Sequence, residues 1–241
     1  MRYALLSDIH GNLEALQAVL RDAQQRADAI VCLGDVVGYG ADPVACLEVI
    51  GERAVQLVVG NHEHGVAGLL PLDWFNPFAR AAVEWTREQL PEAHRSYLAA
   101  QPIRAELDDA TLVHASPDHP EQWDYLVTAH DGYDAFASFT TRLCFVGHSH
   151  APAIWSLGSS GRENDRGAFD VTLAMGRRYI VNVGSVGQPR DRDPRAAYAV
   201  WDVDARRISL RRVTYDVRGA RHKIVDAGLP RWLADRLAVG S

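Results

Sequence analysis

The residues of this chain best equipped for chemistry come in five blocks: Asp8-Ile9-His10-Gly11-Asn12, Gly34-Asp35, Gly60-Asn61-His62-Glu63, His114 and Gly147-His148-Ser149-His150. Carboxylates mixed with several imidazoles suit borderline divalent cations rather than Mg or Ca alone. Each block stands just past a short apolar run that reads as a buried strand. That puts a row of carboxylate, imidazole and amide groups at strand carboxyl ends, where open α/β sheets place their ligands. In an extended segment residues i and i+2 point the same way, so Asp8 with His10, and His148 with His150, each present two groups to one side. Glycines before Asp35, Asn61 and His148 permit positive φ or close backbone approach. A lone Asp-x-His is more often a surface turn, and a lone His-x-His is as often chance as metal. Five blocks in one order, each after a strand, leave little room for coincidence.

The elements that must position these blocks alternate along the first part of the chain. Residues 3–7 read as a strand. Leu13, Leu16, Val19 and Leu20 have helical spacing over 13–23. Residues 29–33 form a second expected strand, Pro43 opens a second helix, and 55–59 form a third strand. This alternation predicts right-handed βαβ units and a mainly parallel core sheet. From 66 to 102 the pattern turns helical, over 77–90 and 91–100, with Trp74, Phe75, Phe78, Trp85 and Tyr97. This inserted segment either roofs the site or simply packs its aromatics on the sheet. Residues 112–113 and 143–146 are short strands feeding His114 and Gly147. The later chain is β-rich at 153–157, 169–174, 179–183, 197–203 and 208–213, with Asp204-Ala205-Arg206 as a hairpin turn. Residues 158–167, rich in Gly, Ser and charge, read as a mobile surface loop, and 229–237 as a terminal helix. The expected fold is therefore α/β, with two mixed sheets flanked by helices.

At 241 residues the length fits a single domain spanning 1–241 better than two. Hydrophobic and charged contents of 47% and 23% are ordinary for a soluble protein. A net charge of −6 argues against stable nucleic-acid binding, which needs phosphate neutralisation by Lys and Arg. A small phosphate-bearing substrate is still compatible, because bound cations invert the local field. Cys32, Cys46 and Cys144 form no Cys-x-x-Cys pair, and two of them lie in apolar runs. No disulfide framework is expected, in keeping with a reducing cytoplasm. The first residues are too short an apolar run for a signal peptide, and nothing approaches the ~20 apolar residues of a membrane span. The expected location is cytoplasmic, with no membrane association.

The order and spelling of the blocks resemble the calcineurin-like metallophosphoesterase family, over nearly the whole chain. The resemblance implies a four-layer α-β-β-α sandwich and hydrolysis of phosphate esters at a dinuclear metal centre. Asp8, His10, Asp35 and His150 match the ligands of one metal, and Asp35, Asn61, His114 and His148 those of the other, with Asp35 bridging. Two metals about 3.5–4 Å apart clamp the attacking and leaving oxygens of an in-line displacement. The water they share becomes the nucleophile as a bridging hydroxide, so Ser7, Ser149 and the cysteines are not read as catalytic. His62 matches the family's catalytic histidine, expected to stabilise charge and supply a proton to the leaving oxygen. Glu63 is expected to support the site and His64 to be a solvated loop residue. Two divalent transition metals are implied, manganese first, with Fe, Ni, Co and Zn also admitted by oxygen and nitrogen ligands.

Two substrate-binding candidates each carry two readings. Asn12 could donate to a substrate oxygen or cap the following helix. The run from Asn182 to Arg190 resembles a late family segment near the metals. Arg190 there could offer a bidentate fork to phosphate, or face solvent among Asp191, Arg192 and Asp193. His94, His119, His130 and His222 lack a ligand context.

Departures from the family pattern narrow the branch. Serine/threonine protein phosphatases carry Asp-Arg-Gly after the Gly-Asp block and an arginine before Gly-Asn-His-Glu. Here the residues are Gly34-Asp35-Val36-Val37-Gly38-Tyr39-Gly40, and Val59 precedes Gly60. The pattern is closer to the small bacterial phosphodiesterase/phosphatase branch, with small phosphodiesters or phosphomonoesters such as nucleotides as expected substrates. The alternatives are a dinucleoside polyphosphate hydrolase, a protein phosphatase, or a non-enzymatic scaffold with this fold, like a subunit of the retromer complex. Retention of His62 and of every ligand match weighs against the scaffold.

Overall fold

A computed structural model describes residues 1–159, 161–167 and 169–241. The chain begins β1 (Arg2–Leu6), α1 (Leu13–Ala23), β2 (Ala29–Cys32), α2 (Pro43–Arg53), β3 (Ala54–Leu57) and α3 (Asn61–Ala67). It continues through α4 (Pro77–Gln89), α5 (Glu92–Ala99), β4 (Arg104–Leu107), β5 (Ala110–Val113), α6 (Ala129–Ala135) and β6 (Leu143–Val146). The later part runs β7 (Ala153–Gly158), β8 (Gly161–Arg166), β9 (Asp170–Thr172), β10 (Arg178–Asn182), β11 (Ala196–Asp202), β12 (Arg207–Val213), α7 (Val217–Asp226) and α8 (Arg231–Asp235).

Local chemistry accounts for the helix starts. Asn12 caps α1 by accepting from the Ala15 N–H, and Pro43 opens α2 where its missing N–H has no intrahelical partner to lose. Asn76 accepts from Phe78 and Ala79 ahead of Pro77 in α4. Strand periodicity then sorts side chains between layers. In β1, Ala4 and Leu6 pack with Leu16 and Val19 of α1 and Leu47 and Ile50 of α2. Tyr3 and Leu5 point the other way, toward Leu112 of β5, Phe145 of β6 and Val181 of β10. Burying side chains such as Leu5 and Phe145 contributes about 1.5–3 kcal/mol each.

Among the described residues the strands form two six-stranded mixed sheets, ordered β3-β2-β1-β11-β12-β9 and β4-β5-β6-β10-β7-β8. Within the first, β1, β2 and β3 are parallel; within the second, β5, β6 and β10 are parallel. Phe136, just after α6, covers the outer face of the second sheet with Trp155 and Ile180. Helices, sheet, sheet and helix make the four layers, an α-β-β-α sandwich. No helix among the described residues is long and apolar enough to cross a membrane.

Several expectations need correction. The stretch expected as a loop at 158–167 contains β8, antiparallel to β7 from Ala153↔Arg166 to Gly158↔Gly161; Ser160 within it lies outside the described residues. Its polar composition suits an edge strand with one neighbour in the sheet, and charge at a sheet edge discourages pairing with other chains. Residues 104–107 form β4, a hairpin partner for β5. α6 and α7 were not expected at all; each is short and starts at a polar cap, Thr128 and Asp216. The turn at Asp204-Ala205-Arg206 is present, closing the β11–β12 pair at Asp202↔Arg207.

Candidate metal centre

Both sheets deliver the carboxyl ends of their parallel strands to one rim, and the five blocks meet there. Asp8 follows β1, Asp35 follows β2, Asn61 opens α3 after β3, His114 follows β5, and His148 and His150 follow β6. Asp8, His10, Asp35, His62, His114, His148 and His150 are all buried. Three overlapping groups hold donor atoms within 4.8 Å of one another: Asp8 with His10 and His150, His10 with Asp35 and His62, and Asp35 with His114 and His148. Asp35 belongs to two of them.

The backbone does this in an unexpected conformation. Asp8, His10, Asp35, His148 and His150 all have φ between 50° and 63°, the left-handed region that costs a non-glycine residue about 1–2 kcal/mol. The extended geometry expected for the two i, i+2 pairs is therefore absent. Instead the loops interlock: Asp8 N–H donates to Gly34 O, His10 N–H to Asp35 O and Gly11 N–H to Val36 O. His148 N–H donates to Asp8 Oδ2. The pairs also behave differently. Asp8 and His10 share a group, whereas His148 and His150 are split between two.

Close approach explains two of the glycines. A Cβ on Gly60 would stand 2.2 Å from Asp35 Oδ1, and one on Gly147 would stand 1.9 Å from Ser7 Oγ and 2.5 Å from Asp8 Oδ2. Either substitution would push a carboxylate out of the centre.

Hydrogen bonds fix which imidazole nitrogens face inward. His10 Nδ1 bonds Val37 O at 3.1 Å, His114 Nδ1 bonds Leu33 O at 2.8 Å, and His150 Nδ1 bonds Gln188 O at 2.6 Å. A carbonyl can only accept, so each Nδ1 carries a proton; the Nε2 atoms of the neutral His10 and His150 rings present lone pairs, and His114 Nε2 would present one once a cation displaces its second proton. His10 Nε2 and His150 Nε2 then face each other across 3.1 Å, an arrangement that calls for a cation between them. His114 Nε2 lies 3.1 Å from His148 Nδ1 and 3.2 Å from Asp35 Oδ2. Asp8 Oδ1, 3.2 Å from His150 Nε2, has no well-directed hydrogen bond. Asn61 Oδ1, His62 Nδ1 and His148 Nε2 are likewise buried without a partner. Orphaned buried donors of nitrogen and oxygen type are what a pair of divalent transition cations would satisfy, so the residues fit the group.

Electrostatics agree with that fit. Burial disfavours charge on both aspartates, yet the surrounding imidazoles, His150 for Asp8 and His114 for Asp35, hold their pKa values below the ordinary carboxylate value. Burial pulls His10 and His150 down, His62 to about 4 and His148 to about 3, leaving neutral rings. His114 is the exception: burial is outweighed by Asp35 and Asp8, which push it up to about 10.

Glu63 is a brace rather than a ligand, as expected. Its carboxylate accepts from Asp35 N at 2.7 Å, Gly60 N at 2.8 Å and Val37 N at 3.1 Å, joining the loops after β2 and β3. Burial and the Asp35 charge push it up to about 7 against the Gly60 and Val37 donors.

The two substrate candidates resolve differently. Asn12 is the helix cap: Oδ1 takes the Ala15 N–H and Nδ2 donates to Gly187 O at 2.9 Å. Both ends of its amide are engaged and the residue is buried, which favours the capping reading. Arg190 is not solvent-facing. It is half-buried, its Nε is buried without a partner, and its backbone N–H bonds His150 O. His64 is also not a solvated residue; it is half-buried, edge-on to Trp123 at 5.0 Å. In the inserted segment, Phe75 roofs His62 at 5.3 Å, while Trp85 packs with the helices near the carboxyl end.

Some positioning groups were missed. Ser185 Oγ donates to Asp8 O, Asn182 Nδ2 donates to Gly147 O, and Gly187 N–H donates to Asp8 O. The loop after β10 thus clamps both ligand loops. Its Asn-Val-Gly-Ser-Val-Gly-Gln spelling was a visible signal, but which carbonyls it would bond was not. Tyr39 and Tyr125 lie against His62 and His148 respectively; Tyr39 belonged to the Gly34-to-Gly40 motif but not as a site residue, and Tyr125 carried no sequence signal.

Comparison with known proteins bears on the same residues. A sequence model of the calcineurin-like phosphoesterase superfamily domain matches residues 1–206. An uncharacterized protein of Methanocaldococcus jannaschii is 40% identical over 242 residues, covering 98% of this chain and 97% of the relative. The crystal structure of a metallophosphoesterase from Sphaerobacter thermophilus is 42% identical, with a TM-score of 0.87 over 100% of this chain and 99% of its own. A hypothetical protein from Pyrococcus horikoshii OT3 shares the fold at 21% identity, with a TM-score of 0.80 over 100% and 98%.

Proposed function

The chain belongs to the calcineurin-like phosphoesterase superfamily and is a metal-dependent phosphoesterase; from that premise we propose that it hydrolyses small phosphodiesters or phosphomonoesters, nucleotides among them. The observation that carries the reading is the chain of three buried donor groups linked through His10 and Asp35. Asp8, His10, Asp35 and His150 would hold one divalent cation, and Asp35, Asn61, His114 and His148 a second. Manganese is our first choice among Mn, Fe, Co, Ni and Zn. Bound there, such cations supply Lewis acidity, both toward the phosphoryl oxygens and toward the attacking water.

The chain's own residues do the rest. His10, His114 and His150 are held in one tautomer by backbone carbonyls, so their Nε2 atoms need no reorientation when a ligand arrives. Glu63 ties the Asp35 and Gly60 loops together. His62, walled by Tyr39 at 4.5 Å and Phe75 at 5.3 Å, is kept from bulk water. An anionic phosphoryl group beside this neutral ring favours its protonated form, and the ring then delivers the proton to the leaving oxygen. Asp35 accepts the His62 backbone N–H at 3.1 Å, which fixes that ring relative to the centre.

A turnover panel tests the proposal. Metal-stripped protein is reloaded with Mn, Fe, Co, Ni or Zn and offered model phosphodiesters, phosphomonoesters, cyclic nucleotides, dinucleoside polyphosphates and a phosphoprotein. Small esters should turn over only in reloaded protein. Activity confined to phosphoproteins or dinucleoside polyphosphates would reassign the substrate, and silence with every metal would remove the enzyme reading.

A further inference from the structure

A cleft of ≈ 310 Å³ opens along the outer side of the His148–His150 turn. One wall is Tyr125, Leu126 and Val127, from the segment after His114; another runs from Ser149 and Ala151 to Pro152 and Ala153 at the start of β7; Arg190 completes the lining. The cleft adjoins the centre through two contacts. The Tyr125 ring stacks on the His148 imidazole at 4.0 Å and 21°, and Arg190 is bonded through its backbone to His150. The inserted helical segment contributes nothing to this lining.

Arg190 and the apolar part of the lining differ in what they can bind. Arg190 donates to Gln188 Oε1 at 2.9 Å and its guanidinium lies 5.7 Å from the Tyr39 ring centre. Its buried Nε has no acceptor, and among the described residues it makes no ion pair. Its neighbour Asp191 is taken by Arg212. A guanidinium without a carboxylate, beside a centre built for phosphoryl groups, is suited to a bidentate grip on phosphoryl oxygens. The Tyr125–Val127 wall is largely apolar and partly open: Tyr125, whose hydroxyl meets the Arg190 guanidinium, is 50% and Val127 46% exposed. With one face of its ring on His148, Tyr125 keeps the rest available for stacking.

We propose that Arg190 grips the phosphoryl oxygens of the substrate while the cleft takes a planar ring carried by the ester, laid against Tyr125 and Val127. The ring is of nucleobase or aryl type. The volume sits at the low end of the about 300–1,000 Å³ typical of small-molecule sites, enough for one such group. This inference rests on the phosphoesterase reading and names the class of ester it prefers.

The test compares two inhibitors that share a charged head. Hydrolysis of p-nitrophenyl phosphate, or of bis-p-nitrophenyl phosphate if only diesters react, is inhibited with phenylphosphonate and with methylphosphonate. Phenylphosphonate should bind about tenfold more tightly, the size of one base–aromatic stack. In Tyr125→Ala, and independently in Val127→Asp at its exposed position, the ratio of the two inhibition constants should fall toward one. Arg190→Ala should raise both constants by at least about tenfold while keeping their ratio, and Arg190→Lys should recover only part of that loss. Equal inhibition by both phosphonates, a preference that survives both cleft variants, or unchanged constants in Arg190→Ala would overturn the cleft and leave the phosphoesterase standing. Absence of turnover with every metal would overturn both.

Discussion

His62 stands where three aromatic or imidazole neighbours meet: His10 at 4.8 Å, Tyr39 at 4.5 Å and Phe75 at 5.3 Å. A Cβ on Gly38 would lie 2.2 Å from its Nδ1, so the ring is tightly seated from that side. Such packing leaves little rotational freedom, and a proton delivered from this ring reaches one place only. His62→Ala should therefore retain its metals and lose roughly 10²–10⁴-fold in kcat on esters with poor leaving groups. The loss should be much smaller for p-nitrophenyl esters, whose leaving oxygen needs no proton. Rates across a series of leaving groups, with metal content measured in parallel, check this. Equal losses across the series would assign His62 a purely electrostatic part.

At the scale of elements, the ligand loops are held by neighbours far away in sequence. α1 begins at Asn12, two residues after His10, and the Asn12 amide also reaches Gly187 in the loop after β10. Asn12→Ala should cost about 0.5–2 kcal/mol through loss of the cap. KM should stay near the parent value, because the side chain is buried and both ends of its amide are engaged by the backbone. Thermal denaturation and steady-state kinetics on the same preparation separate the two effects. A large rise in KM with unchanged Tm would restore the substrate-binding reading.

For the whole molecule, the centre is a place where two sheets share a rim, so its occupancy should be felt globally. Lone pairs of His10 and His150 face each other, and aspartates are buried beside them; cations should relieve both. Adding Mn or Zn at about a hundred times Kd should stabilise the metal-stripped protein by about 2.7 kcal/mol per site, raising Tm by roughly 5–10 °C for each site filled in a chain of this size. In Asp35→Asn the rise should largely vanish, since that carboxylate is shared between the donor groups, and turnover should vanish with it. Scanning fluorimetry with and without chelator reads the difference. An equal rise in both proteins would refute the bridging role of Asp35.

Much of this was legible along the chain. Apolar periodicity marked α1 at 13–23 and the strands ahead of each block, because local spacing decides which face of an element is buried. Block order and spelling marked the donors, since ligand chemistry is a property of residue type. Spelling could not reveal how the donors are held. His10 meets His150 across 140 residues, and Ser185 holds Asp8 across 177. Asp8, His10, Asp35, His148 and His150 sit at positive φ, a conformation that local preference disfavours and that bonds between separate loops, such as Asp8 N–H to Gly34 O and His148 N–H to Asp8 Oδ2, accompany. The same is true of the edge strand β8, which a polar run does not announce, and of Arg190, whose place beside His150 depends on where the loop after β10 returns. Residue type and periodicity determined which groups are available and which elements carry them. Packing of the two sheets decided which donors stand close enough to share a cation, because distances between separate strands are set only when the strands assemble.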